Sequence, residues 1–322
     1  MVVGDVHAKV ENLDDCQRLI DFVKQKSEQN DCQLICFLGD LFDKMGLVNT
    51  EVSLFWEKSF QDTLSKWPII SLLGNHDYPP ANPQAHALRR YSTIRVVDDF
   101  FVLGKILFIA HKFDNNEFIR ICKENLHCNT VIAHAEFDGV EYENGFYAKN
   151  GLDMNLIPQK QVVTGHIHRP ATLGKVWMPG SPRWLTVSDA NIDRHIWVVD
   201  FNDGGEIVNK TGFSTQNVCK PIFNAIDEKL FPFEPTELHK KSRTVVDIHG
   251  DIDYVNERVE YFKQFGFRLR TFPVKNFTSE IKESEGIKKA FSKFIELYTP
   301  KYGTNRQILF DLVKEKVSWM NG

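Results

Sequence analysis

Polar residues able to bind metal ions follow several apolar segments of this chain. The tetrapeptide Gly74-Asn75-His76-Asp77 comes directly after the apolar run at 69–73. Such a run predicts a buried strand, and ligands of an open α/β sheet gather outside the carboxyl ends of its strands. One tetrapeptide is weak evidence, but the pattern recurs. The other strand-following residues are Asp5 and His7 after 2–3, Asp40 and Asp43 after 34–38, His134 after 131–133, and His166 and His168 after 162–164.

These five motifs are expected to converge, because parallel strands buried on both faces end at one edge of a sheet. The candidate metal ligands are Asp5, His7, Asp40, Asn75, His134, His166 and His168. Seven oxygen and nitrogen donors are too many for one tetrahedral ion and favour two cations that share a carboxylate, for which Asp40 is the candidate. Alone, each residue is more commonly a packing residue, a helix cap or a turn residue. If there were no metal site, such ordinary roles would have to explain the polar residues after all five apolar runs at once.

The motifs also carry a family resemblance. Gly4-Asp5-Val6-His7, Gly39-Asp40-Leu41-Phe42-Asp43, Gly74-Asn75-His76-Asp77, His134 and Gly165-His166-Ile167-His168 resemble the ordered motifs of the calcineurin-like metallophosphoesterases. The Gly-Asp-Leu-Phe-Asp form is similar to that of the SbcD-type nucleases of double-strand-break repair, and most similar to the bacteriophage recombination endonuclease subunit. The likeness continues through the segments 136–139, 145–147 and 179–186 and the strand at 197–200. It covers residues 1–205 well and the remainder weakly.

The resemblance implies a mechanism and roles for the site residues. Phosphodiester bonds would be hydrolysed with two divalent cations, one held by Asp5, His7, Asp40 and His168 and the other by Asp40, Asn75, His134 and His166. His76 would protonate the leaving oxygen, and Asp43 would orient the His76 ring. The nuclease likeness favours Mn²⁺, whereas the donor types leave Mg²⁺, Fe²⁺ and Zn²⁺ open.

Two arginines near the last motif are candidate substrate contacts. Arg169 directly follows His168, and Arg183 lies in the nuclease-like segment at 179–186. Arginine suits phosphate oxygens because its planar guanidinium donates in pairs. Simple solvent exposure is the alternative for either residue.

The spacing of apolar residues predicts the elements that position these motifs. Crossover helices are expected over 12–30, 50–66 and 116–127, and hairpins over 96–113 and 195–208. The aromatic stripe of the second helix is expected in the core. Together with the resemblance, this indicates an α/β fold: a calcineurin-like metallophosphoesterase sandwich of central sheets flanked by helices, with a small α+β capping domain and C-terminal helices.

The predicted domains are a nuclease domain at 1–216, a linker at 217–243, a small capping and DNA-binding domain at 244–278, and helices at 284–322. Prolines without a sustained period indicate the linker. Basic residues of the second half that could contact phosphate are Lys240, Lys241, Arg243, Arg268, Arg270 and Lys275. By resemblance the last helices attach to an SMC-like ABC ATPase, and the chain itself has no P-loop motif. A homodimer is a further possibility.

Composition limits the class of protein and the environment in which it works. The 322 residues are 42% hydrophobic and 25% charged, as in ordinary folded proteins, and the net charge of −4 predicts no global attraction to nucleic acid. Six cysteines without a paired framework indicate a reduced environment. No run reaches membrane length and no signal peptide precedes the first motif. A cytoplasmic location is therefore expected, in the host cytoplasm if the protein is viral.

The predicted function is a two-metal DNA endonuclease or exonuclease subunit acting in recombination and double-strand-break processing. Two alternatives stay open. A metallophosphatase or small-nucleotide phosphodiesterase would use the same seven ligands, although the second domain and the 179–186 segment argue against it. A non-catalytic scaffold of the same fold is the other alternative, but such proteins normally show gaps in the ligand set.

Overall fold

The computed structural model describes residues 1–82, 84–142 and 145–273. In chain order the strands of these residues are β1 (Val2–Val3), β2 (Ile35–Phe37), β3 (Ile69–Leu72), β4 (Arg95–Val97), β5 (Phe100–Leu103), β6 (Ile106–Ile109), β7 (Thr130–His134), β8 (Gln161–Gly165), β9 (Ala171–Leu173), β10 (Val176–Met178), β11 (His195–Phe201), β12 (Ile207–Ser214), β13 (Ile222–Glu228), β14 (Arg243–Gly250) and β15 (Arg268–Pro273). The α-helices are α1 (Leu13–Gln29), α2 (Thr50–Lys58), α3 (Asn115–Glu124), α4 (Glu237–Lys240) and α5 (Ile252–Lys263). The predicted helices at 284–322 lie outside the described residues.

Two six-stranded sheets form the first part of the molecule. The strand order is β12-β11-β1-β2-β3-β4 in one sheet and β5-β6-β7-β8-β10-β9 in the other. Neighbours from β1 to β4 are parallel, as are β6, β7, β8 and β10, while the predicted hairpins β5–β6 and β11–β12 are antiparallel. The predicted α/β sandwich with two central sheets is confirmed.

The sandwich has four layers, because each central strand is buried on both faces. Val2 packs into the core between the two sheets, whereas Val3 packs on the opposite face with α1 and α2. Phe108 joins the core between the sheets, and Phe118 of α3 covers the outer face of the second sheet. Burial on both faces explains why these strands are continuous apolar runs and not alternating ones.

The predicted helices form at nearly the predicted places. The second ends as an α-helix at Lys58 and continues for one wider turn over Ser59–Thr63. Its start is capped by the Asn49 side chain, which accepts a hydrogen bond from the Glu51 amide at 2.7 Å. Trp56 and Phe60 stack with ring centroids 5.2 Å apart in the interior, so the aromatic stripe belongs to the core as expected.

A third sheet lies beyond the sandwich, and it corrects the predicted domain boundary. Residues 217–243 were expected to be a linker, but they contain β13 and α4. β13 pairs in parallel with β14, which pairs in parallel with β15 after the crossover helix α5. The second unit is therefore a small α/β layer that starts at β13. We define the small unit as residues 222–273.

The small unit contacts the sandwich through backbone groups. Arg243 donates to the carbonyls of Trp184 and Lys220, and the Asn191 side chain donates to the Asn224 carbonyl at 2.8 Å. Arg243 is an exposed residue whose guanidinium donates to these carbonyls, and its predicted contact with phosphate stays a prediction. Arg270 is likewise held by the buried carboxylate of Asp247, at 2.7 Å from its Nη2.

The cysteines and the lengths of the helices bear on two further expectations from the sequence. All six cysteines lie within the described residues and each is a free thiol. In the part of the chain that the structure describes, no helix combines the length and the apolar character needed to traverse a bilayer.

Candidate metal centre

Three of the strand-end loops bring together the first group of predicted ligands. We define the first half-site as Asp5, His7, Asp40 and His168. The Nε2 atoms of His7 and His168 are 3.1 Å apart, and His7 Nε2 is 3.6 Å from Asp40 Oδ2. Asp5 Oδ2 lies 4.0 Å from His168 Nε2. The four side chains therefore lie close together, with His7 next to both Asp40 and His168 and with Asp5 next to His168.

The second half-site is Asp40, Asn75, His134 and His166. Asn75 Oδ1 is 2.9 Å from both His134 Nε2 and His166 Nδ1, and His134 Nε2 is 3.5 Å from Asp40 Oδ2. Ligands of one cation lie about 3 to 3.5 Å apart when each bond is roughly 2.0–2.2 Å long. Asp40 Oδ2 faces both half-sites, so the predicted shared carboxylate occupies the middle of the arrangement.

The backbone at the centre is held in an unusual conformation. Among the described residues, the non-glycine residues with positive φ are His7, Asp31, Asp40, His166 and Asn191. Three of them are candidate ligands, with φ of 49° at His7, 49° at Asp40 and 79° at His166. Such conformations cost free energy and persist where the surrounding structure enforces them, commonly at functional sites.

The glycines of the motifs make room for the ligands. A Cβ on Gly74 would lie 2.2 Å from Asp40 Oδ1, and one on Gly39 would lie 2.6 Å from His134 Nδ1. Gly39 also has a φ of +106°, which side-chain-bearing residues rarely adopt. Glycine precedes Asp40 and Asn75 because the ligand loops pass too close for a side chain.

Burial keeps two of the imidazoles neutral. It lowers the pKa of His7 and of His134 well below the ordinary value, although the charge of Asp40 opposes the effect at His7. His134 Nδ1 donates to the Leu38 carbonyl at 2.8 Å, which leaves the lone pair on Nε2 facing Asn75 and Asp40. A neutral ring with a fixed tautomer is the form that binds a metal ion.

Comparison with known proteins agrees with this geometry. The family model described as calcineurin-like phosphoesterase matches residues 1–170, just over half of the chain. The chain belongs to the calcineurin-like phosphoesterase family. It is also similar to the DNA double-strand break repair protein Mre11 of Nanoarchaeum equitans (strain Kin4-M). The two are 18% identical over 344 residues, which cover 91% of this chain and 89% of that protein. The predicted family is thus confirmed, and the likeness to the bacteriophage subunit stays a prediction.

The centre of this calcineurin-like phosphoesterase fits divalent cations, which the family uses. Its donors are carboxylate, amide and imidazole groups, without a thiolate, and they suit hard or borderline ions. Two groups of ligand atoms, from His7, Asp40 and His76 and from Asp40, His134 and His166, each lie within 4.8 Å of one another. The structure brings all seven predicted ligands into one site. Their binding of metal stays a prediction.

His76 lies beside the first half-site, and the predicted residue Asp43 contacts it through its backbone carbonyl and not through its carboxylate. His76 Nδ1 donates to the backbone carbonyl of Asp43 at 2.7 Å, whereas both Asp43 carboxylate oxygens are 3.3 Å from Lys9 Nζ. Asp43 therefore contacts His76 as predicted, but with its backbone carbonyl in place of its carboxylate, and its orienting role in catalysis stays a prediction. The carbonyl sets the tautomer of the neutral ring, because it requires a hydrogen on Nδ1 and leaves the lone pair on Nε2.

The two predicted substrate contacts have different surroundings. Arg183 is 1% exposed, and its Nη1 lies 2.8 Å from Cys16 Sγ and 3.3 Å from the Val6 carbonyl. A guanidinium enclosed in this way cannot reach a substrate, so its predicted role is wrong. Arg169 lies at the surface, where it pairs with Glu141 at 2.7 Å. Its contact with substrate stays a prediction.

Four residues beside the ligands were not predicted as site residues. Glu136 Oε2 lies 3.6 Å from His166 Nε2, and hydrogen bonding to His166 lowers the pKa of Glu136. His111 Nδ1 and the Tyr78 hydroxyl are 2.6 Å apart beside His166. Asp77 accepts from the amides of Gly74 and Phe42 and so ties two ligand loops together. Asp77 lies two residues after the ligand Asn75, and Glu136 lies two residues after the ligand His134. This closeness in sequence to predicted ligands could have identified both residues.

Proposed function

We propose that this protein is a metal-dependent deoxyribonuclease that hydrolyses phosphodiester bonds in recombination and double-strand-break processing. The observation that carries the proposal is the convergence of seven donors on two half-sites with Asp40 Oδ2 between them. Similarity to a double-strand break repair protein along 91% of the chain supports DNA as the substrate. The family membership alone would support a phosphoesterase of any substrate class.

The two half-sites would each hold one divalent cation. Asp5, His7, Asp40 and His168 would bind the first, and Asp40, Asn75, His134 and His166 the second. Such cations, when bound, neutralise phosphate charge and lower the pKa of coordinated water. We propose Mn²⁺, although the donors also suit Mg²⁺, Fe²⁺ and Zn²⁺.

His76 would supply the proton for the leaving oxygen. Its Nδ1–H is held by the Asp43 carbonyl at 2.7 Å, so the ring cannot rotate away without losing that hydrogen bond. Nε2 would then carry the second proton of the imidazolium and deliver it to the departing oxygen. The ring of His76 packs edge-on against that of His7, with centroids 4.8 Å apart, which keeps the proton next to the first half-site.

Substrate assays test this proposal. The full chain, freed of metal and then supplied with Mn²⁺, should cleave linear duplex or single-stranded DNA, and Asp40→Ala should abolish the cleavage. The same preparation is offered a phosphomonoester and a cyclic nucleotide. Hydrolysis of these small substrates with DNA left intact, with and without an ATPase subunit, would contradict the nuclease and favour a metallophosphatase. No hydrolysis of any substrate would favour a non-catalytic scaffold.

We further propose an SMC-like ABC ATPase as a partner, bound through residues 284–322, which lie outside the described residues. The supporting observations are apolar stripes in that part of the sequence and the absence of a P-loop motif. Deletion of 284–322 should abolish co-purification with the ATPase and preserve metal binding. Retained co-purification would move the contact elsewhere. Sedimentation of the full chain tests the proposed homodimer, and a cytoplasmic location is part of the same proposal.

A further inference from the structure

The segment after β10 lies against two of the loops that supply the first half-site. A Cβ on Gly4, next to Asp5, would lie 2.0 Å from the Gly180 carbonyl oxygen. A Cβ on Gly180, which has a φ of +78°, would lie 2.6 Å from the His168 carbonyl oxygen. Backbone therefore meets backbone on both sides of Gly180, and neither loop can move without displacing this segment.

Ser181 links the same two loops by hydrogen bonds. Its Oγ lies 2.9 Å from the carbonyl oxygens of both Asp5 and Arg183, which share its single proton, and its amide donates to the carbonyl of His168 at 3.0 Å. Ser181 is fully buried, so water does not compete for these groups. One residue thus holds the backbone at two ligands of the first half-site.

Two buried arginines extend the support. Arg183 donates to the Val6 carbonyl, between Asp5 and His7, and Arg194 donates to the His168 carbonyl. Arg194 Nη2 also pairs with the buried carboxylate of Asp189 at 2.7 Å. A buried guanidinium costs several kcal/mol of desolvation unless it is well paired, and hydrophobic replacements are commonly tolerated. Both arginines donate to carbonyls of the loops that carry the ligands. This contact gives a reason why arginine, and not an apolar residue, occupies each of these positions.

We propose that Ser181, Arg183 and Arg194 are positioning residues for the first half-site. Each acts through a backbone carbonyl of Asp5, Val6 or His168, so each orients ligands without touching a cation. The ligands of the second half-site have other supports, since His134 is held by the Leu38 carbonyl and His166 by Glu136. The inference rests on the proposed binding of cations and not on DNA as the substrate.

Calorimetric titration of the metal-free full chain with Mn²⁺ tests the inference. His168→Ala and His134→Ala identify the binding events of the first and second half-sites. Ser181→Ala and Arg194→Lys should weaken the first event by about tenfold or more and leave the second unchanged, as is typical for residues that orient metal ligands. Lysine cannot reproduce the fork with which Arg194 reaches both the His168 carbonyl and Asp189.

Matched controls separate this role from general stability. Arg258→Lys alters an equivalent fork, because Arg258 pairs with the buried Asp227 and donates to the Phe233 carbonyl at 2.7 Å in the small unit. Ser59→Ala removes a buried hydroxyl that donates to the Phe55 carbonyl at 2.8 Å in the second helix. Both controls should bind both ions normally, even where thermal unfolding of the metal-free protein occurs at a lower temperature.

The outcomes are distinct. Equal weakening of both events, or the same weakening in Arg258→Lys, would overturn the inference. Normal binding by Ser181→Ala and Arg194→Lys would overturn it too, and if Arg194→Lys fails to fold, Ser181→Ala decides. Fewer than two ions bound by the unaltered protein would overturn both this inference and the proposed function. If the titrations give the expected results but the protein does not cleave DNA, the positioning role would stand and only DNA as the substrate would be rejected.

Discussion

Parallel strands end together at two places in this molecule, and the residues that follow them differ. In the sandwich the strand ends lead to aspartate, asparagine and histidine. In the small unit β13 leads to Lys229 and β14 leads to Asp251, which pair with each other at 3.0 Å. Exposed apolar residues come next: Leu230, Phe231 and Ile252 are 85%, 76% and 56% exposed. The topology brings strand ends together in both sheets. The residue types decide whether the meeting point can bind a cation.

The metal centre and the small unit also differ in how buried negative charge is compensated. In the small unit Arg258 pairs with Asp227 at 2.8 Å, and Arg270 pairs with Asp247. Among the described residues no lysine or arginine pairs with Asp40, whose neighbours His7 and His134 have a pKa lowered by burial. An internal guanidinium compensates the charge in one region. The other region leaves that charge available for a cation.

The largest expected effect comes from the shared carboxylate. Asp40→Ala should weaken Mn²⁺ binding at both half-sites by more than about 100-fold, beyond the 10- to 100-fold typical of losing an orienting residue. Asp247→Asn, the counterpart in the small unit, should leave both binding events unchanged. Calorimetric titration measures both. One intact high-affinity event in Asp40→Ala would show that Asp40 is not shared.

His76 and Asp43 should differ in their effect on hydrolysis. His76→Ala should lower kcat by about 10²- to 10⁴-fold, the usual contribution of a general acid, with both ions still bound. Asp43→Ala should change kcat by less than about threefold, because the carbonyl that holds His76 is retained and the lost pair with Lys9 is partly exposed. Loss of an ion in His76→Ala would instead make His76 a ligand.

Core substitutions should separate the two regions. Phe108→Ala and Phe262→Ala each empty a fully buried site and should cost about 3–5 kcal/mol of stability. Only Phe108→Ala is expected to weaken metal binding, because Phe108 packs between the sheets that carry the ligand loops. Denaturant unfolding followed by Mn²⁺ titration tests this. Weaker binding in Phe262→Ala would mean that packing of the small unit supports the centre.

The smallest effect is expected at the surface. Arg169→Ala removes an exposed pair with Glu141 and should change stability by less than about 1 kcal/mol. If Arg169 contacts phosphate, KM for DNA should rise by up to about tenfold at unchanged kcat. Arg120→Ala, which removes an exposed pair with Glu124 on α3, is the matched control. An unchanged KM in Arg169→Ala would remove Arg169 from the substrate contacts.

The sandwich was predictable because its strands are continuous apolar runs, and β13 was not. Its sequence, Ile222 to Glu228, places Asn224 and Asp227 inside a strand, and Asp227 is fully buried. Such a carboxylate is stable there only because Arg258, 31 residues away, pairs with it. The local sequence pattern therefore predicted a linker. The strand is stable because Arg258, which is distant in the sequence, pairs with Asp227.

The sequence by itself determined which residues could bind cations, because it places carboxylates, an amide and imidazoles directly after apolar runs whose strands end at one edge. Only the tertiary structure decided which atom of each residue acts. It turned the Asp43 carbonyl and not its carboxylate toward His76, and it enclosed Arg183 against Val6, 177 residues away in the chain. Contacts between such distant segments depend on how the loops pack, and the spacing of residues in the sequence does not predict that packing.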